Sequence, residues 1–548
     1  MLRKLGQLRS STHAEFISHL ELLKIKKENI RTYFSSPYRI FLIGIYTILF
    51  LPHVFVLVKD LGLISAFETD PGSIIASIIG LFQNPYNMNM NFHSWVYGWT
   101  YFSINFLLLI PIYLAKALKL VNDYYFFFVA IRFILFTIGL ASVLAFFDLA
   151  KRTLRHRFLA FTAAILFLAS PVTSKFFYFL HPETTGLFFL FLGITCLLNY
   201  NDTQAKDSRW YAFGLLSLVL SALSKHVFLF TAIPVLFLFV YLYCSHHEKS
   251  ILSFLGSKQF IKVLFATALF SIFIFFIINP FAFFQPKIFL DGQIYLFSAH
   301  TQDNITRSEA LKLWLEIIKE VPVVFISMVL APVVLISLAL RSHDQKIERV
   351  LYATNIISAI FFVGFISVTS LHIINNTYFA PVYPFFILNL LSIPLYVLRQ
   401  SAVRFIKFLV ILSLVYLLFF LLVDSFSLSI PLGYTRLTYK DSITYETYIY
   451  IEKNIPNGSK ITYDHLVPIS SEKAVIGCQY WQGCGTDYIE EFNPDYVIFS
   501  ENWLFNEERL PQALRLEKYI SDHHFILVDT ISHEGADFTI SVWKKPDP

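Results

Sequence analysis

The sequence predicts a polytopic all-α membrane protein with a small α/β unit at its C-terminus, and three observations predict it. Of its 548 residues, 56% are hydrophobic and only 15% are charged, against roughly 25% charged in ordinary soluble domains. Apolar runs near the ~20 residues that cross a hydrocarbon core recur between Tyr38 and Asp424, whereas the stretch from about Ile430 onward alternates short apolar runs with polar turns. Basic residues also gather in every second connection between the apolar runs, as they do in cytoplasmic loops.

The N-terminal segment, residues 1–38, is basic and lacks a small-residue cleavage site before the first apolar run, so residues 39–59 are expected to stay as an anchor with a cytoplasmic N-terminus. The basic connections are KRTLRHR at 151–157, QAKDSR at 204–209, HHEKS through KQFIK at 246–262, RSHDQKIER at 341–349 and RQSAVRFIK at 399–407. Between them lie LHPETT at 180–185, SKH at 224–226, the stretch 279–320 and LHIINNT at 371–377, all poorer in positive charge. Counting by this alternation yields about eleven spans. They are 39–59, 125–148, 158–177, 184–200, 210–224, 227–244, 262–279, 321–340, 350–371, 378–397 and 405–424.

The membrane region is thus 39–429, with a first external loop at 60–124 and a second long one at 280–320, and 430–548 falls on the outer face. Residues 97–118 are apolar enough to span, but one more crossing would put KRTLRHR outside. They read as a juxtamembrane or re-entrant helix, the alternative being two crossings with a short turn near 119–123. The net charge of +5 is spread over loops, not set on one face, which argues against a nucleic-acid partner.

In the C-terminal region a helix at 442–454 should end at Pro456-Asn457-Gly458. Strand KITYD, a polar loop with Cys478 and Cys484, strand DYVIFS, a helix near 507–521, and strands HFILVDTI and DFTISVW follow. The two cysteines could be bridged in an oxidising compartment, though spacing alone leaves this open, while Cys196 and Cys244 lie in apolar runs. Neither a glycine-rich phosphate cradle nor a metal-finger spacing occurs there, which excludes a Rossmann-type nucleotide-sugar site in this region.

Several residues could carry chemistry. Glu68 and Asp70 stand two residues apart after the first span, before the Pro71-Gly72 turn. Such acids could deprotonate a hydroxyl or hold a divalent cation, or simply be solvated loop acids. In His181-Pro182-Glu183 the proline and acid suit a helix first turn, and function and capping are compatible. Lys225 sits between two apolar runs, where an ammonium needs a cavity, a partner or a route to the interface. Arg132 lies about two turns inside its span, where a phosphate or an intramembrane acid would partner it. The external histidines His226, His300 and His372 are weaker candidates for such a role, since a lone external histidine is more often structural.

In order along the chain come Glu68-Thr69-Asp70, the stretch SIIASIIGLFQNPY at 73–86, the aromatic segment from Phe92 to Trp99 with Tyr97, then Arg132, His181-Pro182-Glu183, Ser224-Lys225-His226, and Asn376 to Pro384 with Tyr378. This order resembles the GT-C glycosyltransferases, in the protein O-mannosyltransferase and aminoarabinose-transferase-like branch. There an acidic first loop, a P/Y-rich juxtamembrane helix, an acid in the second external loop, a lysine after a short helix pair and an RYLLPLYP-like helix start recur. Two positions depart from it. The usual DE pair is E-T-D, leaving the base between two acids, and Thr377 stands for the arginine of the RY motif, removing one expected phosphate contact.

The resemblance implies a GT-C-like membrane glycosyltransferase that moves a sugar from a polyprenyl-phosphate donor to an envelope acceptor, whether protein, lipid or glycan, at the outer face of a bacterial inner membrane. It makes Asp70 the general base with Glu68 as substitute, and Glu183 or His181 the group that orients donor sugar or acceptor. Lys225 and Arg132 would meet the phosphate, with Tyr97, Tyr378, His226 and His300 around the substrates. That branch generally works without metal, and a divalent cation at Glu68 and Asp70 stays open. A transporter or lipid flippase, or a non-catalytic envelope-assembly protein, would also place charges among spans, but no repeated half is visible.

Overall fold

The computed structural model describes residues 36–56, 78, 99–119, 125–203, 207–236, 258–287, 289–291, 294, 306–326, 376–400, 404–464, 467–469, 476–479, 489–490, 492–501, 510–534, 536 and 538–546. Among these, six helices are long and apolar enough to cross a membrane by length and composition: Pro37–Val54, Thr100–Ala117, Phe128–Leu154, Glu183–Asp202, Phe260–Ile278 and Lys407–Ser427. The expected span 350–371 lies outside the described residues.

Hydrogen bonds between helices set their directions. Helix α1 (Pro37–Val54), helix α2 (Trp99–Ala117) and helix α3 (Tyr125–Leu154) come first. Near one end of α3, Arg39 of α1 pairs with Asp148. Near the other, Arg132 donates to the His53 carbonyl at 3.0 Å, so α1 and α3 run antiparallel. Helix α4 (Arg157–Ala169) and a single turn, α5 (Lys175–Tyr178), lead to α6 (Glu183–Asp202) and α7 (Ser208–Ala222). Helix α6 runs the same way as α3, because Ser142 bonds the Thr184 carbonyl at 3.2 Å while Arg152 reaches Asn199 at 2.8 Å and Asp202 at the far end. Helix α7 returns antiparallel, its Ser221 bonding the Gly186 carbonyl at 2.8 Å.

Helix α8 (Lys258–Ile278) runs alongside α7 through a Tyr211–Thr267 hydroxyl pair at 2.9 Å. The start of α2 is tied to the last turns of both, with Thr100 N donating to the Leu223 carbonyl at 3.2 Å and Ser103 to the Ile278 carbonyl at 3.0 Å. Leu109 of α2 shares an apolar cluster with Phe128, Ile131 and Leu135 of the first turns of α3. Both its start and its middle therefore belong to one end of the bundle.

Several sequence expectations are corrected. The span expected at 158–177 is broken: α4 stops at Ala169 because Pro171 disfavours a helical Ser170, whose backbone is extended (φ −62°, ψ 136°). The basic turn expected at 151–157 shrinks to Arg155 and His156, since α3 continues through Leu154 and Arg155 ends it in the left-handed region (φ 53°). His156 then caps α4 by accepting from Leu159 N at 3.3 Å. Finally, the long loop expected at 280–320 contains helical structure among its described residues, including α9 (Pro280–Phe284) and α10 (Arg307–Glu320), the latter started by a Thr306–Glu309 capping box.

The late chain enters through a 3₁₀ turn, Asn376–Phe379, into α11 (Tyr383–Gln400) and α12 (Arg404–Leu437). The last expected span, 405–424, is thus the first part of a 34-residue helix, and the boundary expected at 429/430 falls inside it. The fall in hydropathy after Asp424 marks a change of surroundings, whereas the helical hydrogen-bond ladder is indifferent to it.

Beyond it, α13 (Ile443–Asn454) is capped by the Ser442 hydroxyl, which accepts from Tyr445 N at 3.3 Å. Gly458, at φ +86°, makes the turn into β1 (Lys460–Tyr463). Strands β2 (Ile476–Gln479) and β3 (Tyr496–Ser500), helix α14 (Leu510–Asp522), and strands β4 (Ile526–Ile531) and β5 (Ile540–Lys544) complete a sheet of order β2-β1-β3-β5-β4. The first three strands are parallel and β5 and β4 antiparallel. Alternate residues bury opposite ways: Ile461, Ile498, Ile540 and Val542 pack with Ile451 of α13, and Val497 and Phe499 with Leu516 and Ile520 of α14. Strand β2 lies in what the sequence predicts as a polar loop, and contains Cys478, while Cys484 is outside the described residues.

Candidate active site

The start of α6 lies beside Ser142 of α3, the His53 end of α1 lies beside Arg132, and the last turns of α7 and α8 are both tied to the start of α2; in this part of the bundle the structure gathers ionisable side chains. Glu183 is the first residue of α6, after Pro182 at the N-cap, so its carboxylate meets the positive end of the helix dipole. It is fully buried. Its two oxygens have different partners: Oε2 faces His181 Nδ1 and Oε1 faces Lys225 Nζ. Capping position and ionic partnership both hold at this residue.

Lys225 reaches Glu183 because α7 ends at Ala222 and the chain turns through Ser224 into extended backbone at Lys225 (φ −161°, ψ 140°) before the 3₁₀ turn His226–Phe228. Its side chain is only 10% exposed. An ammonium and a carboxylate so buried must satisfy one another, since either alone would be strongly destabilising. The Lys225 Nζ also lies 5.5 Å from the ring centroid of Tyr378, in the turn that precedes α11. The pair therefore joins three stretches distant in sequence.

The surrounding residues hold this cluster still. The His181 ring packs on Phe176 at 5.5 Å, and Thr184 bonds the Phe176 carbonyl at 2.9 Å. Gly186 lets the Phe228 ring approach so closely that a Cβ there would stand 2.5 Å from its Cε2. Arg132 is buried one step away: it binds the His53 carbonyl, and the His53 ring meets Tyr178 at 4.3 Å, three residues before His181.

Of the residues expected from sequence, Glu183, His181, Lys225 and Tyr378 are brought into contact. Arg132 lies at the same end of the bundle but pairs with backbone, and the imidazole of His226 is on an exposed residue. Asp70, Glu68, Tyr97, His300 and His372 lie outside the described residues. His53, Tyr178 and the Gly186–Phe228 contact were not anticipated. Only Gly186 carried a signal, a glycine in the first turn of an apolar helix, where close approach is the usual reason for one. Among the described residues no group of three or more His, Cys, Asp or Glu could hold a metal ion.

The sequence profile of the dolichyl-phosphate-mannose-protein mannosyltransferase family matches residues 116–287. That stretch contains Arg132, His181, Glu183, Lys225 and His226. The solved structure of ArnT from Cupriavidus metallidurans in the apo state covers 92% of this chain and 97% of its own, at 13% identity and a TM-score of 0.50. The same protein bound to undecaprenyl phosphate covers 93% and 98%, at 11% identity and a TM-score of 0.48. No curated protein matches the chain by sequence. The chain shares its fold with ArnT. Over residues 116–287 it is similar to the dolichyl-phosphate-mannose-protein mannosyltransferases, in keeping with the order of its motifs.

Proposed function

We propose that the chain is a membrane glycosyltransferase that moves a sugar from a polyprenyl-phosphate donor to an envelope acceptor at the outer face of a bacterial inner membrane. The observation that carries this reading is the buried Glu183 carboxylate shared by His181 and Lys225 at one end of the helix bundle. A lipid-linked donor needs apolar helices for its tail, an aqueous recess for its sugar, and a cation where the two meet. Lys225 is such a cation, at the end of α7 and between apolar helices.

In this reading the acceptor hydroxyl gives its proton to Asp70, with Glu68 as the substitute base, while its oxygen attacks the anomeric carbon. The bond from that carbon to the phosphate oxygen breaks, and the polyprenyl phosphate leaves with its charge met by Lys225. Glu183 and His181 orient the sugar or acceptor beside it. Residues 1–38 are cytoplasmic and 430–548 lie outside. Helix α2 is juxtamembrane, which the attachment of its start and middle to the site end of the bundle supports.

The test is to incubate the full chain, purified into lipid nanodiscs, with radiolabelled polyprenyl-phosphate sugars and membrane extracts. The expected result is labelled product from one donor, and a drop in turnover of roughly 10²–10⁴-fold for Asp70→Asn with folding and donor binding kept. Undiminished transfer by Asp70→Asn would refute its role as base. Absence of product with every donor, alongside transport of lipid across the bilayer, would instead establish a flippase.

A further inference from the structure

Lys225 presents a problem for the function proposed above. An ammonium fully neutralised by a buried carboxylate is a poor ligand for an incoming phosphate, because Glu183 must first give it up. Two features of the site weaken that hold without removing it. The Glu183 charge is divided, since His181 engages the opposite oxygen from Lys225. The Tyr378 ring lies over the ammonium at 5.5 Å, close enough for its negative face to attract the cation. A ring attracts a cation without cancelling its charge, so the ammonium stays ordered yet able to bind a second anion.

We infer that Tyr378 is a positioning residue for Lys225, its ring face holding the ammonium in place while leaving its charge available to a lipid phosphate. The 3₁₀ turn Asn376–Phe379 fixes the ring, since the next residues, Phe379 and Ala380, are buried and Val382 N bonds the Phe379 carbonyl at 3.0 Å. The inference rests on the reading that Lys225 meets the donor phosphate, and assigns to Tyr378 a role exerted through Lys225 instead of contact with the sugar.

The test measures binding of undecaprenyl phosphate to the full chain in nanodiscs. Tyr378→Phe should bind within about twofold of the parent, because the ring is kept, and Tyr378→Leu should bind roughly three- to thirtyfold more weakly. Phenylalanines carrying one, two and three fluorines at position 378 keep the ring's size while draining its face of negative charge. Affinity should fall stepwise with each fluorine, a trend that a merely structural ring would not produce and that is readable even if the leucine variant unfolds. A flat series, with Lys225→Ala still weakening binding, overturns the inference alone. Unchanged binding by Lys225→Ala overturns both it and the phosphate-binding role of Lys225.

Discussion

Glu183 and Lys225 stand 42 residues apart in sequence and are each other's buried counter-charge, at the two facing ends of the α6–α7 hairpin. Breaking such a pair from one side leaves an uncompensated buried ion, at a cost of about 3–5 kcal/mol, whereas replacing both partners by neutral groups of similar size is far milder. Lys225→Met should therefore lower the unfolding midpoint sharply. Adding Glu183→Gln should recover most of the loss without restoring transfer. Thermal unfolding of the singles and the double in detergent checks this, and additive losses would mean that the two residues act independently.

The two members of that pair stand out separately in the sequence, Glu183 as an acid following a proline and Lys225 as a cation between apolar runs. Their partnership does not, because it depends on where α7 stops and how Ser224 turns the chain, and neither is set by local pattern. Among the described residues helix existence was legible in runs of unbroken hydropathy such as Glu183–Asp202, against an expectation of 184–200. Helix ends were not. Pro171 breaks one apolar run that composition alone joins, and α12 outlasts its apolar stretch to Leu437. Strand β2 escaped notice because Ile476–Gln479 is only four residues long with a glycine inside it, and takes its place by pairing with β1.

His181 engages the other oxygen of the same carboxylate, and its ring is braced by Phe176. His181→Phe keeps the aromatic contact and deletes the nitrogen, so it isolates the hydrogen bond from the packing. An unmet buried acceptor costs about 1–3 kcal/mol. The variant should lose stability in that range. It should also bind undecaprenyl phosphate more weakly than the parent, since Glu183 would then hold Lys225 undivided. Tighter lipid binding in a titration would contradict the division of charge argued above.

The helix directions place His226 and Arg209 at opposite ends of α7, whose 15 residues rise about 22 Å. Both residues are exposed, so single cysteines there, in a chain whose native cysteines are replaced, can be reached by a membrane-impermeant thiol reagent. The expected result in intact cells is labelling at 226 and at Ser73→Cys, and none at 209 until the membrane is opened. Labelling of 73 and 226 from opposite faces would separate the first-loop acids from Lys225 and end the proposed chemistry.

Gly186 and Phe228 pack tightly beside the site. A methyl group at 186 would meet the Phe228 ring at 2.5 Å, and the ring is fully buried between α6 and the turn that carries Lys225. Gly186→Ala must push that ring aside, an overpacking that costs about 1–3 kcal/mol. Because Phe228 follows Lys225 by three residues, its displacement should drag the turn and lower transfer by more than the loss of stability explains. Phe228→Leu in the same chain makes room for the methyl, so the double variant should regain both stability and transfer relative to Gly186→Ala. Recovery of stability without recovery of transfer would show that the aromatic ring itself, and not the space it fills, sets the position of Lys225.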